Sequence, residues 1–370
     1  MTYNNQINLL LAELQKKKAA YSCWFYPESE VPELLIGQVE DVKVLPDFSY
    51  LVGQKGFLFA PFECSASHPL LLLSGSIYLK GFDQISHFRT EQLKDAITWS
   101  SPARNRIVIS RDDYLDGIRK TVDHLKNSDL SKVIISRLIT HPRKQESMGD
   151  LLLQLHQQTP RAFVYVVSLP YAGTWIGATP EVLLRSHGDE LETVSLAGTQ
   201  PSRDDENYLW PTKEIEEQAF VSRYMLDLFY RYQIYPYHTQ GPETMASGPV
   251  AHLKTRFFFD LEKVDGKLSE FIGDLHPTPA VCGLPKEAAA SFIRKIEKHD
   301  RCYYAGFLGP WNLDDQVRLF VNLRCMEVLS RNYVLYSGGG ITSRSVPESE
   351  WEETRNKAQT LLSAIQVVQQ

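Results

Sequence analysis

The sequence lacks the features that mark several large classes of protein. Its 370 residues carry 39 Lys and Arg against 45 Asp and Glu, for a formal net charge of −6, and no dense basic patch is present. Because non-specific nucleic-acid binding depends on Lys and Arg that neutralise phosphates, we expect no nucleic-acid partner. No apolar run approaches the roughly 18 residues of a membrane span, so we expect no membrane segment either.

Cysteine is scarce, and the common catalytic motifs are absent. The five cysteines are odd in number, and none has CxxC spacing. Such a scattered set predicts neither a zinc site nor a disulfide framework. Reduced thiols are the simplest interpretation, so we expect a cytoplasmic protein. The sequence contains no P-loop, HExxH, GxSxG or GxGxxG motif, so the common signatures of nucleotide-binding proteins, zinc proteases and serine hydrolases are absent.

What the sequence does contain is an ordinary globular composition with many short apolar runs. Apolar residues make up 43% and charged residues 23% of the chain, which excludes a disordered protein. Apolar runs broken by Pro and Gly predict strands. These runs are CWFYP, ELLIGQV, GFLFAPF, PLLLLSG, SKVIISRLIT, AFVYVVSLP, TWIGATPEVLLR and LETVSLAGT, with a hairpin predicted from QVRLFVNLRCMEVL and NYVLYSGGGI.

Helices are fewer and are indicated by caps and helical periodicity. The predicted helices span residues 6–20, 110–127, 212–231, 286–299 and 348–366. Because short turns join many neighbouring strands, we expect an α+β fold, with antiparallel sheet at the centre and helices packed outside. The change in character near residue 111 divides a strand-rich part, 1–111, from the rest, 112–370, without a flexible linker between them.

Two charged residues stand in apolar strands. Side-chain alternation places Lys132 on one face with Ile134 and Ser136. Such a lysine either protects an edge strand from aggregation or is a desolvated amine that acts as a general base. Glu181 leads the apolar run after Pro180. It either faces solvent or is a half-buried carboxyl with a raised pKa that can donate a proton near neutral pH.

Two glutamate pairs have a spacing that suits a metal. Glu214 and Glu217 are three residues apart on one predicted helix, and Glu350 and Glu353 on another, so each pair shares a helical face. If the two helices converge, these carboxylates suit a hard cation such as Mg²⁺, which prefers oxygen ligands. The alternative is solvated acids on two amphipathic helices.

Three further features allow either a binding or a structural role. Arg324 interrupts an apolar strand and can bind a carboxylate bidentately or form a structural salt bridge. The glycines 338–340 permit either close backbone approach or a tight turn. His276 lies among prolines, where it either orders a loop or takes part in catalysis.

The order and local sequence of these residues resemble the chorismate-utilising enzymes, which include isochorismate, salicylate, anthranilate and aminodeoxychorismate synthases. The resemblance extends over residues 112–366. The segments that carry it are KVIISR, GATPEVLLR, LAGT, KEIEEQAFV, HLKT, HPTPAVCGLP, DRCYYAGFLG, VNLRC and GGGITSRSVPESEWEETRNK. It implies the chorismate-binding fold, an α/β sandwich with antiparallel sheets inside and helices outside, in which 112–370 forms the catalytic core and 1–111 belongs to the same fold.

Within this family, two features favour an isochorismate synthase. Lys132 occupies the position of the general base that activates water, where members that use ammonia typically carry Gln. HPTPA, residues 276–280, resembles the isochorismate synthases. The implied reaction is Mg²⁺-dependent isomerisation of chorismate, in which Lys132 activates water for attack at C2 and Glu181 protonates the departing C4 hydroxyl. Salicylate synthase and a non-catalytic chorismate-binding protein are the alternatives. Isochorismate feeds menaquinone or siderophore biosynthesis, and we favour menaquinone.

The resemblance also implies the rest of the site. Glu217 and Glu353 would hold Mg²⁺, with Glu214 and Glu350 linked to it through water. The implied substrate-binding positions are Gly198, Thr199, Ala280, Tyr304, Arg324, Gly338 and Lys357. Two residues depart from the family pattern: Gln218 replaces a common His, and Ala305 replaces a common Gly. We expect chorismate as the small-molecule partner and no obligatory protein partner.

Overall fold

The computed structural model describes residues 3–93, 99, 104–144, 146–202, 208–247 and 250–370. Its strands are β1 Ala20–Phe25, β2 Pro32–Gly37, β3 Val42–Leu45, β4 Gly56–Ala60, β5 Leu70–Leu73, β6 Ile77–Lys80, β7 Lys132–Pro142, β8 Phe163–Leu169, β9 Gly173–Thr179, β10 Val182–His187, β11 Glu190–Pro201, β12 Tyr237–Ser247, β13 Val250–Asp260, β14 Gly283–Leu284, β15 Phe307–Trp311, β16 Arg318–Val321, β17 Cys325–Val328 and β18 Asn332–Ile341. Its α-helices are α1 Tyr3–Lys16, α2 Gly81–His87, α3 Arg111–Lys126, α4 Met148–Gln158, α5 Thr212–Tyr232, α6 Leu268–Leu275, α7 Lys286–Ile296 and α8 Pro347–Val368.

The strands form two large antiparallel sheets. The first sheet has the order β14-β7-β18-β17-β9-β8-β1-β2-β6, and the second has the order β12-β13-β11-β10-β16-β15-β4-β5-β3. Aromatic side chains bridge the two sheets: Trp24 lies 5.1 Å from Phe57, and Phe163 lies 4.2 Å from Phe320, measured between ring centroids. The sheets therefore pack face to face around a continuous apolar core.

Helices cover the central sheets, as predicted. Strand β1 is buried along its whole length because both of its faces are covered: Trp24 faces the core between the sheets, whereas Cys23 and Phe25 pack in a second cluster with α1, α4 and α8. Helices α5 and α6 pack against the second sheet, where Phe229 lies 4.9 Å from Phe259 of β13. The predicted α+β fold with an antiparallel core is confirmed. Among the described residues, no helix is both long and apolar enough to cross a membrane.

Both sheets contain strands from either side of residue 111. Strands β1, β2 and β6 belong to the first sheet, and β3, β4 and β5 belong to the second. Each half of the chain thus supplies inner faces to the same core. The functional division at residue 111 stays a prediction.

Each of two segments that were predicted as single strands forms two strands, one in each sheet. TWIGATPEVLLR forms β9 in the first sheet and β10 in the second, and QVRLFVNLRCMEVL forms β16 in the second and β17 in the first. The prediction was wrong there because both sheets are buried, so the apolar pattern continues through the crossing. Arg324, with a φ of 45°, turns the chain at the second crossing. These crossings place Glu181 and Arg324 between strands of different sheets.

Other elements differ in their ends or were not predicted. The first helix ends at Lys16, since β1 already begins at Ala20, and α7 ends at Ile296 instead of residue 299. The elements that were not predicted from the sequence are α2, α4, α6, β3, β6, β12, β13, β14 and β15. The predicted hairpin exists as the antiparallel pair β17–β18.

Candidate active site

A cavity is bordered by β7 and β18 of the first sheet, β11 and β13 of the second, and helices α5 and α8. Many of the predicted site residues line it, although they are far apart in the chain. These lining residues are Lys132, Glu181, Glu217, Ala280, Tyr304, Arg324, Gly338, Glu353 and Lys357. The structure therefore brings the predicted base and acid, two of the four predicted metal residues and five of the seven predicted substrate-binding residues to one cavity, whereas Gly198, Glu214 and Glu350 are not among its lining residues and the side chain of Thr199 lies outside the described residues.

Lys132 is the first residue of β7, and its side chain is buried. The Nζ atom forms an ion pair with a carboxylate oxygen of Glu217 on α5, and the two side chains are 7% and 14% exposed. A Cβ atom on Gly340 would lie 2.9 Å from Lys132 Cε, so the glycine leaves the room that the lysine occupies. This environment differs from that of an edge-strand lysine, which would extend into solvent.

Glu181 lies at the first crossing between the sheets and is buried. Burial raises its pKa to about 7, even though Lys132, Lys357 and Arg324 act in the opposite direction. Burial dominates because the charged carboxylate loses its hydration in the cavity wall. A carboxyl with this pKa is protonated in a large fraction of molecules near neutral pH and can donate that proton.

Arg324 brings a buried positive charge to the same cavity. Burial lowers its pKa, and nearby Glu181 acts in the opposite direction. Within the part of the chain that the structure describes, no carboxylate lies in ion-pair distance of its guanidinium. A salt bridge therefore does not account for Arg324, and its guanidinium can accept a ligand carboxylate.

The two predicted metal-ligand helices converge on the cavity. Glu353 of α8 pairs with Lys357, with 2.7 Å between Oε1 and Nζ. Burial by itself raises the pKa of Glu353, but Lys357 outweighs burial and lowers the pKa; Glu217 raises it by repulsion. The carboxylates of Glu217 and Glu353 are therefore close enough to repel each other electrostatically.

The other glutamate of each pair lies farther from the cavity. Glu350 is buried, and its Oε2 atom would lie 3.1 Å from a Cβ on Gly339. The side chain of Glu214 packs against Gly198, whose added Cβ would lie 3.2 Å from Glu214 Cβ. Neither residue lines the cavity.

The chemistry of the donor set suits Mg²⁺, but the carboxylates are held by lysines. Oxygen donors on mutually repelling carboxylates are what a hard divalent cation requires. Among the described residues, no three His, Cys, Asp or Glu side chains are gathered as a ready metal centre. Lys132 and Lys357 each pair with Oε1 of one of these glutamates, so a cation held by Glu217 and Glu353 would share their carboxylates with the two lysines.

The glycines after Tyr336 allow other groups to approach the backbone closely. A Cβ on Gly338 would lie 2.8 Å from the hydroxyl of Tyr304, and the Gly338 carbonyl accepts a hydrogen bond from Lys357 Nζ at 3.1 Å. Tyr304 stacks on Tyr336 at 5.4 Å between centroids. Gly198 has a φ of 68° in β11, and the side chain of the neighbouring Thr199 lies outside the described part of the structure.

His252 is a cavity residue that the sequence analysis did not single out. It lies on β13, and its Nδ1 donates a hydrogen bond to the carbonyl of Gly198 at 3.0 Å. Burial, with Lys357 adding to it, lowers the pKa of His252 to about 4, so the ring is neutral at pH 7. Its segment HLKT contributed to the resemblance, but only the pairing of β11 with β13 brings it to the cavity.

Three residues that stand out in the sequence have contacts or backbone conformations that indicate a structural role. His276 bonds the carbonyls of Pro61 and Phe62 at 3.0 and 3.2 Å, which is the loop-ordering role. Gln218 donates to Ser195 Oγ and Thr255 Oγ1, both at 2.9 Å, so it joins α5 to β11 and β13. Ala305 has a φ of 60°, a left-handed backbone conformation that favours glycine.

Comparison with known proteins agrees with this geometry. A family model described as chorismate binding enzyme matches residues 44–366. The vibriobactin-specific isochorismate synthase of Vibrio cholerae is 33% identical over 264 residues, covering 69% of this chain and 67% of that protein. The isochorismate synthase MenF of Bacillus subtilis is 30% identical over 270 residues, covering 70% of this chain and 56% of that protein.

Solved structures show the same fold. A Bacillus anthracis protein assigned as the 2,3-dihydroxybenzoate-specific isochorismate synthase DhbC superposes with a TM-score of 0.78 and 25% identity, covering 97% of this chain and 99% of that one. The menaquinone-specific MenF of Escherichia coli superposes with a TM-score of 0.74 and 20% identity, covering 94% and 88%. The match of the family model over most of the chain shows that this protein belongs to the chorismate binding enzymes.

Proposed function

We propose that this protein is an isochorismate synthase, which isomerises chorismate to isochorismate. The observation that carries the proposal is the presence of a buried carboxyl with a pKa of about 7, Glu181, in the same cavity as the buried amine of Lys132. A weak nucleophile and a poor leaving group on one ring need one base and one acid. Relatives named isochorismate synthase, similar over about two thirds of the chain, support the same reaction.

The chemical step uses both groups. In its neutral amine form, Lys132 accepts a proton from a water molecule as the water oxygen bonds to C2 of the ring. The ring double bonds shift, the C4–oxygen bond breaks, and Glu181 donates its proton to the departing hydroxyl, which leaves as water. One water enters and one leaves, so the product is an isomer of the substrate. A protonated Glu181 is what this role requires, and burial provides it.

The cations of the cavity orient the substrate. Chorismate carries two carboxylates, and Arg324 and Lys357 are the cavity-lining cations beside the proposed acid. Arg324 can bind one carboxylate bidentately, and the hydroxyl of Tyr304 lies close to the backbone at Gly338. Holding the ring in one orientation places C2 and C4 toward the base and the acid, and such positioning contributes a large part of catalysis.

We further propose that Mg²⁺ is the cofactor and that Glu217 and Glu353 hold it, with Glu214 and Glu350 behind them. When bound, Mg²⁺ neutralises a substrate carboxylate that these glutamates would otherwise repel. The support is the all-oxygen donor set and the repulsion between Glu217 and Glu353.

The pathway stays a prediction. We favour menaquinone biosynthesis, and the relatives carry both kinds of name, vibriobactin-specific and MenF. A cytoplasmic location and independence from an obligatory protein partner also stay predictions.

One experiment tests the proposed reaction. The purified protein is incubated with chorismate, with and without Mg²⁺, and the products are separated by chromatography with mass detection. A Mg²⁺-dependent product of unchanged mass supports the proposal. Salicylate with pyruvate would assign the protein to the salicylate synthases instead, and saturable chorismate binding without turnover would indicate a non-catalytic binding protein.

A further inference from the structure

Strand β7 loses its outer neighbour soon after it begins. Its pairing with β14 covers only Lys132 with Leu284 and Val133 with Gly283. One more backbone bond follows, from Ile134 N to the carbonyl of Cys282 at 2.9 Å. Beyond this point β7 is still buried, so its remaining edge groups need other partners.

An ion pair continues the ladder where β14 ends. The Ile134 carbonyl accepts a hydrogen bond from Arg301 Nη2 at 2.7 Å. Glu297 Oε1 accepts two, from Ser136 N at 2.7 Å and from Ser136 Oγ at 2.9 Å. Arg301 and Glu297 are joined by two parallel bonds of 2.9 and 2.7 Å. The two side chains thus act on β7 as a neighbouring strand would.

The same arginine reaches two other parts of the cavity wall. Arg301 Nη1 donates to the carbonyl of Val281 at 2.9 Å, and the guanidinium carbon lies 6.0 Å from the centroid of the Tyr304 ring. Ile134, Val281 and Tyr304 all line the cavity, whereas Arg301 and Glu297 do not. One buried guanidinium therefore hydrogen-bonds two wall segments that are distant in the chain and lies beside the ring of a third wall residue.

The pair is fully charged although it is buried. The side chains of Arg301 and Glu297 are 4% and 3% exposed. Burial acts to lower the pKa of Arg301, but Glu297 outweighs it and raises that pKa; Arg301 likewise lowers the pKa of Glu297 against the effect of burial. A planar guanidinium with bonds in fixed directions holds its partners more rigidly than an ammonium would.

We infer that Arg301 and Glu297 are positioning residues that set the substrate-facing wall formed by Ile134, Val281 and Tyr304. The inference rests on the proposed function in taking chorismate as the ligand. Lys132 itself is held by β14 through its pairing with Leu284, so loss of the ion pair moves the wall more than the base. The wall would contact the chorismate ring both in the bound substrate and in the transition state. Displacing the wall weakens the binding of both states, and KM therefore changes more than kcat.

The chain offers a matched control elsewhere. Arg104 and Glu327 form another buried ion pair, with side chains 0% and 1% exposed. Arg104 also donates to two backbone carbonyls, those of Tyr171 at 2.9 Å and Ala172 at 2.7 Å. Like Arg301, Arg104 therefore joins a buried glutamate to two backbone carbonyls, but the residues whose carbonyls it holds do not line the cavity.

The test compares Arg301→Lys with Arg104→Lys in the full-length protein by following chorismate consumption. We expect Arg301→Lys to raise KM by about tenfold with kcat changed less than about threefold, and Arg104→Lys to leave both within about twofold, at a similar loss of melting temperature. Unchanged KM in folded Arg301→Lys, or an equal rise in Arg104→Lys, would overturn the inference.

A milder variant covers the case in which Arg301→Lys does not fold. Ser136→Ala removes the hydroxyl bonds to Glu297 and His299 but keeps the backbone bond from Ser136 N to Glu297, and we expect KM to rise by about threefold; no rise would contradict the inference. If the wild-type protein does not consume chorismate, the proposed function fails, and calorimetric titration of chorismate then tests the wall separately. A tenfold weaker Kd specific to Arg301→Lys supports the inference in that case, and equal affinities oppose it.

Discussion

Lys132 and Glu217 form a buried ion pair between the start of β7 and helix α5, although 85 positions separate them in the chain. The proposed general base and a proposed metal ligand therefore compensate each other's charge. Removing either partner leaves an uncompensated charge in a buried place, which is costly. A cation bound at Glu217 would share the carboxylate with Lys132, so the proposed base and the proposed metal site are electrostatically linked.

Replacement of Lys132 tests the proposed base. Lys132→Ala removes the amine that accepts the proton of water, and we expect kcat to fall at least about 100-fold, as is typical for loss of a general base. Chorismate should still bind, because Arg324 and Lys357 remain. Steady-state kinetics and calorimetric titration measure the two effects. Lys120→Ala, at an exposed position on α3, is the control; full activity in Lys132→Ala would show that the mechanism is wrong.

Replacement of Glu353 tests the proposed metal site. Glu353→Gln keeps the size of the side chain but removes the charge, so we expect the Mg²⁺ concentration for half-maximal activity to rise at least about tenfold. Glu352→Gln is a suitable control, since Glu352 is half exposed and pairs with Arg355 instead. A Mg²⁺ titration identical to that of the wild-type protein would refute the ligand role of Glu353.

The raised pKa of Glu181 predicts how activity depends on pH. The carboxyl must be protonated to act as an acid, and its pKa is about 7. We therefore expect kcat to fall tenfold for each pH unit on the alkaline side of about pH 7, as the acid is lost. A pH–rate profile measures this limb. A profile that stays flat to pH 9 would contradict the role of Glu181.

The same pKa predicts how stability depends on pH. In the unfolded chain Glu181 has its ordinary pKa of 4.5, so between pH 4.5 and about 7 the folded state holds a proton that the unfolded state releases. The contribution of Glu181 is complete below pH 4.5 and is lost as pH rises to about 7, on the order of 3 kcal/mol in total. Denaturant unfolding of the wild-type protein and Glu181→Gln at several pH values measures the difference. Parallel curves for the two proteins would contradict it.

Ala305 tests the backbone requirement at the turn after Tyr304. Its φ of 60° disfavours residues with a Cβ, so glycine would relieve strain there while losing a buried methyl group and gaining unfolded-chain entropy. These effects nearly cancel, and we expect Ala305→Gly to change the free energy of unfolding by less than about 0.5 kcal/mol. Ala289→Gly, at a buried position in α7, should cost about 1 kcal/mol or more. Equal losses in denaturant unfolding would show that the left-handed turn is not strained.

Local signals were sufficient for several elements of the fold. Helix α3 was predicted over 110–127 and is observed over Arg111–Lys126, with Ser110 capping its start by accepting a bond from Asp113 N. Helix α5 was predicted over 212–231 and ends at Tyr232. Caps and helical periodicity operate within a few residues, so the sequence carries them directly. The carboxylate pairs on α5 and α8 were visible for the same reason.

The contacts across the cavity could not be predicted in this way. These contacts join residues of different elements that only tertiary packing brings together. They are Lys132–Glu217, Glu297–Ser136 and His252–Gly198. Continuous apolar runs also hid both crossings, so that Glu181 and Arg324 were placed within strands instead of between the sheets.

The sequence by itself determined many of the strands and helices, which residues bear the reactive groups, and, through its resemblance, the family. Only the tertiary structure decided which charges face each other, how far Glu181 is desolvated, and what supports the cavity wall. The physical reason is range: periodicity and capping act over a few neighbouring residues, whereas burial and ion pairing depend on how two whole sheets and their covering helices are stacked.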